Sequence, residues 1–290
     1  MTTALPPPQI VINARPYRLQ PYLEMLHSYG QTNAEDLART AQERQRLERQ
    51  QRILSTTGII SIILGLFVAV TFHPILFLIV GAGIGLLVWT ARGPGQRLRA
   101  MEENPIPDVT GRCMLASWLL TNLQPDLRAG QRLSGQIDLS GIEQGGTVGR
   151  TMPTAWKATV SYIYQRWLDL DLILLDGNEL RLRATERLKL RPGHYRKGSV
   201  SGKSKWKPAK RSMRQRVAVR LRLNPAVYDR AASQLPLAAR QIGALNVIWT
   251  DRQGDDLRVL AEVENDRLAP EELLQLLREI YARLVRRPVA

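Results

Sequence analysis

Cysteine is almost missing from this sequence: Cys113 is the only one in 290 residues. A lone cysteine excludes an intramolecular disulfide and a thiolate metal cluster. With no histidine or acid close by, it reads as a small buried hydrophobe and not as a nucleophile. Histidine is nearly as scarce, and His27, His73 and His194 lie far apart, so no metal-ligand spacing can be written. The glycine-rich residues 145–149, GGTVG, match neither GxGxxG nor GxxxxGK[ST], the two patterns that cradle phosphate. The opening residues, MTTALPPPQI, lack the basic and apolar regions of a secretory signal. These absences leave no local signature of catalysis, cofactor or metal. The expectation is a non-enzymatic chain with no cofactor, no metal site and no catalytic residues.

Acidic residues are also short, with 26 Asp and Glu against 41 Lys and Arg, a formal net charge of +15. The shortage is concentrated. From Arg187 to Arg222 there are fourteen Lys or Arg residues and no Asp or Glu. The middle of that segment, rich in Gly, Ser and Pro, reads as a flexible loop between two strands, with Tyr195 and Trp206 among the cations. Arg196, Lys197, Lys203, Lys205, Trp206, Lys207, Lys210, Arg211 and Arg214 are therefore the candidate residues for binding an anionic partner. Three partners compete with the plain reading of a solvated basic loop that blocks edge pairing. They are anionic lipid headgroups, at about 1 kcal/mol per basic residue near the surface, an acidic protein, and a nucleic acid held through phosphates with an aromatic stacked on bases.

Residues 53–91 hold no Asp, Glu, Lys or Arg and are bounded by Arg52 and Arg92. A bilayer crossing needs roughly 20 apolar residues, so the run has the length of two, divided near Phe72, His73 and Pro74, with the proline opening the second helix. The expectation is a transmembrane helical hairpin and an integral membrane protein. Basic flanks at both ends then place both termini in the cytoplasm, at the inner (plasma) membrane. Ser61 with Gly65, and Gly81 with Gly85, are small residues spaced by four. They are candidates for close helix packing within the hairpin, or for a homo-oligomer or membrane complex.

The remaining segments arrange themselves around that run. Residues 1–33 read as a Pro-rich flexible segment with an apolar-aromatic patch at Tyr17, Tyr22, Leu23, Met25 and Leu26. Residues 34–52 read as a polar helical stalk with Asn33 as its N-cap, and 92–107 as a linker. Residues 108–290 read as a cytoplasmic α+β domain. A helix spans the stretch GRCMLASWLLTNL, and strands follow with leucine alternating with charge. Leu168, Leu170, Leu172 and Leu174 share one face, as do Leu180, Leu182, Ala184, Leu188 and Leu190. Parity requires an odd-numbered loop between these two strands, and placing Leu174 opposite Leu180 puts Asp171 across from Arg183. Asp169 and Asp171 then serve as surface partners for arginines. Further strands at 214–223, 245–250 and 257–264 and an amphipathic helix opened by Pro270 complete an antiparallel sheet with peripheral helices. The functional expectation is a membrane-anchored interaction or scaffold module, with a membrane-tethered nucleic-acid binder as the alternative.

Overall fold

Leucine alternating with arginine sets the architecture, because such a strand can bury one face and hydrate the other. The computed structural model describes residues 9–71, 77–103, 108–153, 159–197, 204–207, 209–229, 240–264 and 268–287. In chain order the elements are β1 (Gln9–Ala14), α1 (Gln20–Thr71), α2 (Phe77–Arg92), α3 (Pro94–Glu103), α4 (Thr110–Leu123), β2 (Leu133–Asp138), α5 (Ile142–Gly145), β3 (Thr147–Pro153) and β4 (Thr159–Ile173). They continue with β5 (Glu179–Arg191), β6 (His194–Lys197), β7 (Ser204–Lys207), β8 (Lys210–Arg222), β9 (Gln241–Ile242), β10 (Leu245–Gln253), β11 (Asp256–Val263) and α6 (Pro270–Tyr281). The chain divides into two units, residues 1–31 with 109–290, and residues 32–108.

The first unit is an antiparallel sheet in the order β1-β2-β4-β5-β8-β11-β10-β9, with β3 on the same edge of β4 as β2. Its inner face carries Leu168, Leu170 and Leu172 from β4, Leu180, Leu182 and Ala184 from β5, Val217, Val219 and Leu221 from β8, and Leu257, Val259 and Ala261 from β11. Against them pack Cys113, Leu119 and Leu120 of α4, Leu273, Leu276 and Ile280 of α6, and Leu26 near the start of α1. The α+β reading with an antiparallel sheet therefore stands for this part of the chain.

The β4–β5 turn has a three-residue loop: Leu174 N–H donates to Asn178 O at 2.9 Å. Both leucine faces point inward as parity requires, but the register lies two residues from that expected. Leu172 faces Leu180, Asp171 faces Arg181 and Asp169 faces Arg183. Asp176 decides this by accepting from Asn178 N at 3.0 Å, which folds the turn tightly. Strand β4 runs unbroken over Thr159–Ile173, and a bulge at Trp167 lets the chain change phase without breaking.

Residues expected to be a flexible segment hold β1, whose Ile10, Ile12 and Ala14 are buried beside β2, and the first turns of α1. Asn33 consequently lies inside α1 and not at its start.

The transmembrane hairpin is corrected. Among the described residues no helix is long and apolar enough to cross a membrane. The described part of α2 has sixteen residues, about 24 Å at 1.5 Å per residue against the ~30 Å hydrocarbon core. In α1 the apolar residues continue a long polar segment without interruption. The membrane keywords and the inner-membrane localisation rested on the expected spans and fall with them. The expected turn at His73 and Pro74 lies outside the described residues.

Within the second unit, α1 and α2 approach through glycines. A Cβ added at Gly83 would lie 2.8 Å from Ile62 Cγ1 and 2.9 Å from Gly58 O. A Cβ at Gly58 would meet Leu87 Cγ at 3.0 Å. Gly81 and Gly85 face open space, Ser61 is half-buried, and the surroundings of Gly65 lie outside the described residues.

Candidate basic ribbon

Strands β5 and β8 pair over their full length, from Glu179 opposite Arg222 to Arg191 opposite Lys210. Their inner positions are mostly apolar and their outer positions mostly basic. Because side chains alternate, Arg181, Arg183, Arg187 and Lys189 share the outer face with Arg214, Arg216, Arg220 and Arg222.

Toward the β4–β5 turn this face is neutralised by acids from neighbouring strands. Arg181 reaches Asp171 at 3.0 Å, and Arg183 reaches Asp169 at 3.1 Å. Arg220 binds Asp256 at 2.6 Å, and Arg214 and Arg216 both bind Glu262 at 2.6 Å. The hydrogen bond from Arg220 holds the Asp256 carboxyl below its ordinary value. Burial alone would push Glu262 up, yet hydrogen bonds from Arg216 and Arg214 bring it below its ordinary value. Asp169 and Asp171 therefore serve as strand-surface partners for arginine.

On the outer face the described acids run out at the far end of the ribbon. Lys189 Nζ lies 5.7 Å over the Tyr162 ring and has no carboxylate partner among the described residues. Lys210 is exposed and likewise lacks one. At Pro192 and Gly193 the ladder stops, since proline has no N–H to donate. It resumes as β6 paired with β7, with His194 opposite Lys207, Tyr195 opposite Trp206, Arg196 opposite Lys205 and Lys197 opposite Ser204. The segment expected as a loop thus holds a second antiparallel pair.

Tyr195 and Trp206 meet edge-to-face, centroids 4.9 Å apart and planes at 60°, and are 70% and 55% exposed. Such pairs contribute about 0.5–1.5 kcal/mol beyond area burial. Gly193 permits this placement, because a Cβ there would lie 2.4 Å from Trp206 Cζ2.

Of the residues singled out from sequence, the structure brings Arg196, Lys197, Lys205, Trp206 and Lys207 onto β6 and β7, with Lys210 opening β8. Lys203 lies outside the described residues. Arg211 and Arg214 are drawn away by partners, Arg211 by Glu143 and Arg214 by Glu262 and Glu264.

Sequence reasoning missed a buried polar chain on the inner face. Gln165 pairs with Glu186 across β4 and β5, and Glu186 with Gln215 across β5 and β8. Arg112 of α4 caps this row. It donates to Glu186 Oε1 at 3.1 Å and again to Oε2, to Gln165 Oε1 at 2.9 Å and to Asp138 O at 3.1 Å. Gln215 donates to Glu186 Oε1 at 3.2 Å and accepts from Leu268 N at 3.0 Å. One signal was present in the sequence: Glu186 and Gln215 each interrupt an apolar phase. These groups satisfy one another, so the chain acts as a clamp between helix and sheet. Nearby, burial pushes the Cys113 thiol up to about 11, which leaves it protonated and unreactive near neutral pH. No group of metal-ligating side chains occurs among the described residues. No family model, no curated protein and no solved structure matches this chain significantly.

Proposed function

We propose that this protein is a non-enzymatic interaction module whose β6–β7 hairpin and adjoining ends of β5 and β8 bind a nucleic-acid strand. The observation that carries this reading is the exposed Tyr195–Trp206 pair beyond the end of the ribbon, where Lys189 and Lys210 have no carboxylate partner among the described residues. Exposed rings contribute to single-strand binding because every base has a face to stack, at about 1–3 kcal/mol per base. Lysines and arginines at alternate positions supply the phosphate contacts. Contact with anionic lipid headgroups drew its support from a membrane anchor, which α1 and α2 do not supply. An acidic protein would use the same cations but gives no role to two flat exposed rings.

Binding of the full chain to labelled single-stranded RNA and DNA, followed by anisotropy against salt, tests the reading. Trp206→Ala or Tyr195→Ala is expected to weaken binding roughly 5- to 150-fold, the equivalent of one stacked base. Neutralising Lys205, Lys207 and Lys210 should lower the salt slope by about 0.7 for each phosphate that no longer has a cation beside it. Tight binding to polyglutamate or to anionic vesicles, with none to either nucleic acid at low salt, would overturn it.

A further inference from the structure

Far from the ribbon in sequence, a cleft of about 830 Å³ opens where the end of β1 and the start of α1 meet the residue before β2. Its walls include Arg15, Tyr17, Arg18, Tyr22, Met25 and Arg132. Three guanidiniums and two phenols line it, and no carboxylate does.

Ala14 faces Leu133 at the last pair of the β1–β2 register, and Arg15 and Arg132, the residues next to that pair, both line the cleft. Two of the three arginines are held in place by one ring. Arg15 Nη1 donates to Tyr17 Oη at 3.2 Å, and the Arg18 guanidinium sits 5.7 Å from the Tyr17 ring centroid. The same hydrogen bond from Arg15 lowers the Tyr17 hydroxyl from its ordinary value. None of the three arginines has a carboxylate partner among the described residues, and Glu24, the nearest acid along α1, accepts from Gln20 at 3.0 Å.

We infer that this cleft binds a small phosphate monoester bearing a planar ring, of nucleoside-monophosphate size. A phosphate carries roughly −1.5 to −2 charge at neutral pH and three acceptor oxygens, which matches several guanidiniums better than a singly charged carboxylate does. Arginine's planar fork recognises such oxygens bidentately. The Tyr22 and Met25 side of the cleft gives the ring an apolar wall. The volume lies within the range of about 300–1,000 Å³ usual for small-molecule sites, too large for a bare ion alone.

The test is calorimetric titration of the full chain with adenosine monophosphate, ribose 5-phosphate, inorganic phosphate, adenosine and citrate. Adenosine monophosphate is expected to bind, ribose 5-phosphate and inorganic phosphate at least about tenfold more weakly, and adenosine not detectably. Arg132→Ala and Arg15→Ala should each weaken adenosine monophosphate about tenfold or more, the worth of one charged hydrogen bond. Both residues are exposed, so the melting temperature should stay within about a degree or two of the parent. Trp206→Ala should leave this titration unchanged, which separates the cleft from the ribbon. No binding at millimolar nucleotide, equal binding of inorganic phosphate, preference for citrate, or loss on Trp206→Ala in place of Arg132→Ala would each overturn the assignment.

Discussion

Arg112 of α4 and Glu186 of β5 form a two-point ion pair whose side chains are only 6% and 5% exposed. They tie the helix layer to the centre of the sheet, and Gln165 and Gln215 complete their hydrogen bonds. Removing one member of a buried pair strands the other as an uncompensated charge, at a cost of about 3–5 kcal/mol. Arg112→Met or Glu186→Leu alone should therefore destabilise the protein by about that amount in urea unfolding. The double variant should lose markedly less than the sum, because neither charge is then left alone. Additive losses would mean that the pair is not coupled.

The outer-face carboxylates make stability depend on pH. Asp256 and Glu262 titrate below their ordinary values of 3.8 and 4.5 because arginines bond their ionised forms. A carboxyl with a lowered folded value contributes stability that is fully present above its unfolded value and is lost as pH falls through the lowered one. Resistance to urea should be flat from neutral pH down to about 5 on this account and fall below roughly 4.5. In Arg220→Gln the part of that fall owed to Asp256 should shrink, and urea midpoints recorded against pH would show it. Arg220 is half exposed, so the neutral-pH loss should stay near 1 kcal/mol or less.

Much of the sheet was legible because Leu168, Leu170, Leu180 and Leu182 alternate with charge, a pattern that one buried face imposes on a strand. The exact register was not, since shifts of two residues preserve every face. Asp176, through its bond to Asn178, chooses between them. Arg112 was illegible, because its partners Asp138, Gln165 and Glu186 come from three strands and meet only through pairing. The β6–β7 pair was hidden by glycine, serine and proline, which normally mark loops. The membrane reading failed because an absence of charge does not by itself make a span, and no helix among the described residues is long and apolar enough to cross a membrane.

Gly193 offers a test of the aromatic pair that leaves both rings in the chain. A methyl at this position would sit 2.4 Å from Trp206 Cζ2 and 2.8 Å from Cη2, closer than carbon atoms approach without moving. Gly193→Ala should displace the indole, diminish the near-ultraviolet circular dichroism of the Tyr195–Trp206 pair and weaken nucleic-acid binding nearly as much as Trp206→Ala. Its urea midpoint should hardly move, because the hairpin is exposed. An unchanged spectrum would mean that the ring does not lie over this glycine.

The helix packing in the second unit makes opposite predictions for neighbouring glycines. Gly83 meets the backbone of Gly58 and the side chain of Ile62, whereas Gly81 and Gly85 meet nothing within 4 Å. Gly83→Leu should push α1 and α2 apart and cost about 1–3 kcal/mol through overpacking. Gly81→Ala should instead stabilise the helix by up to about 1 kcal/mol, since alanine restricts the unfolded chain and meets no obstacle. Thermal melts followed by helical ellipticity would register both signs. If Gly81→Ala proved the damaging change and Gly83→Leu the neutral one, the close approach would run instead through the four-residue spacing of Gly81 and Gly85.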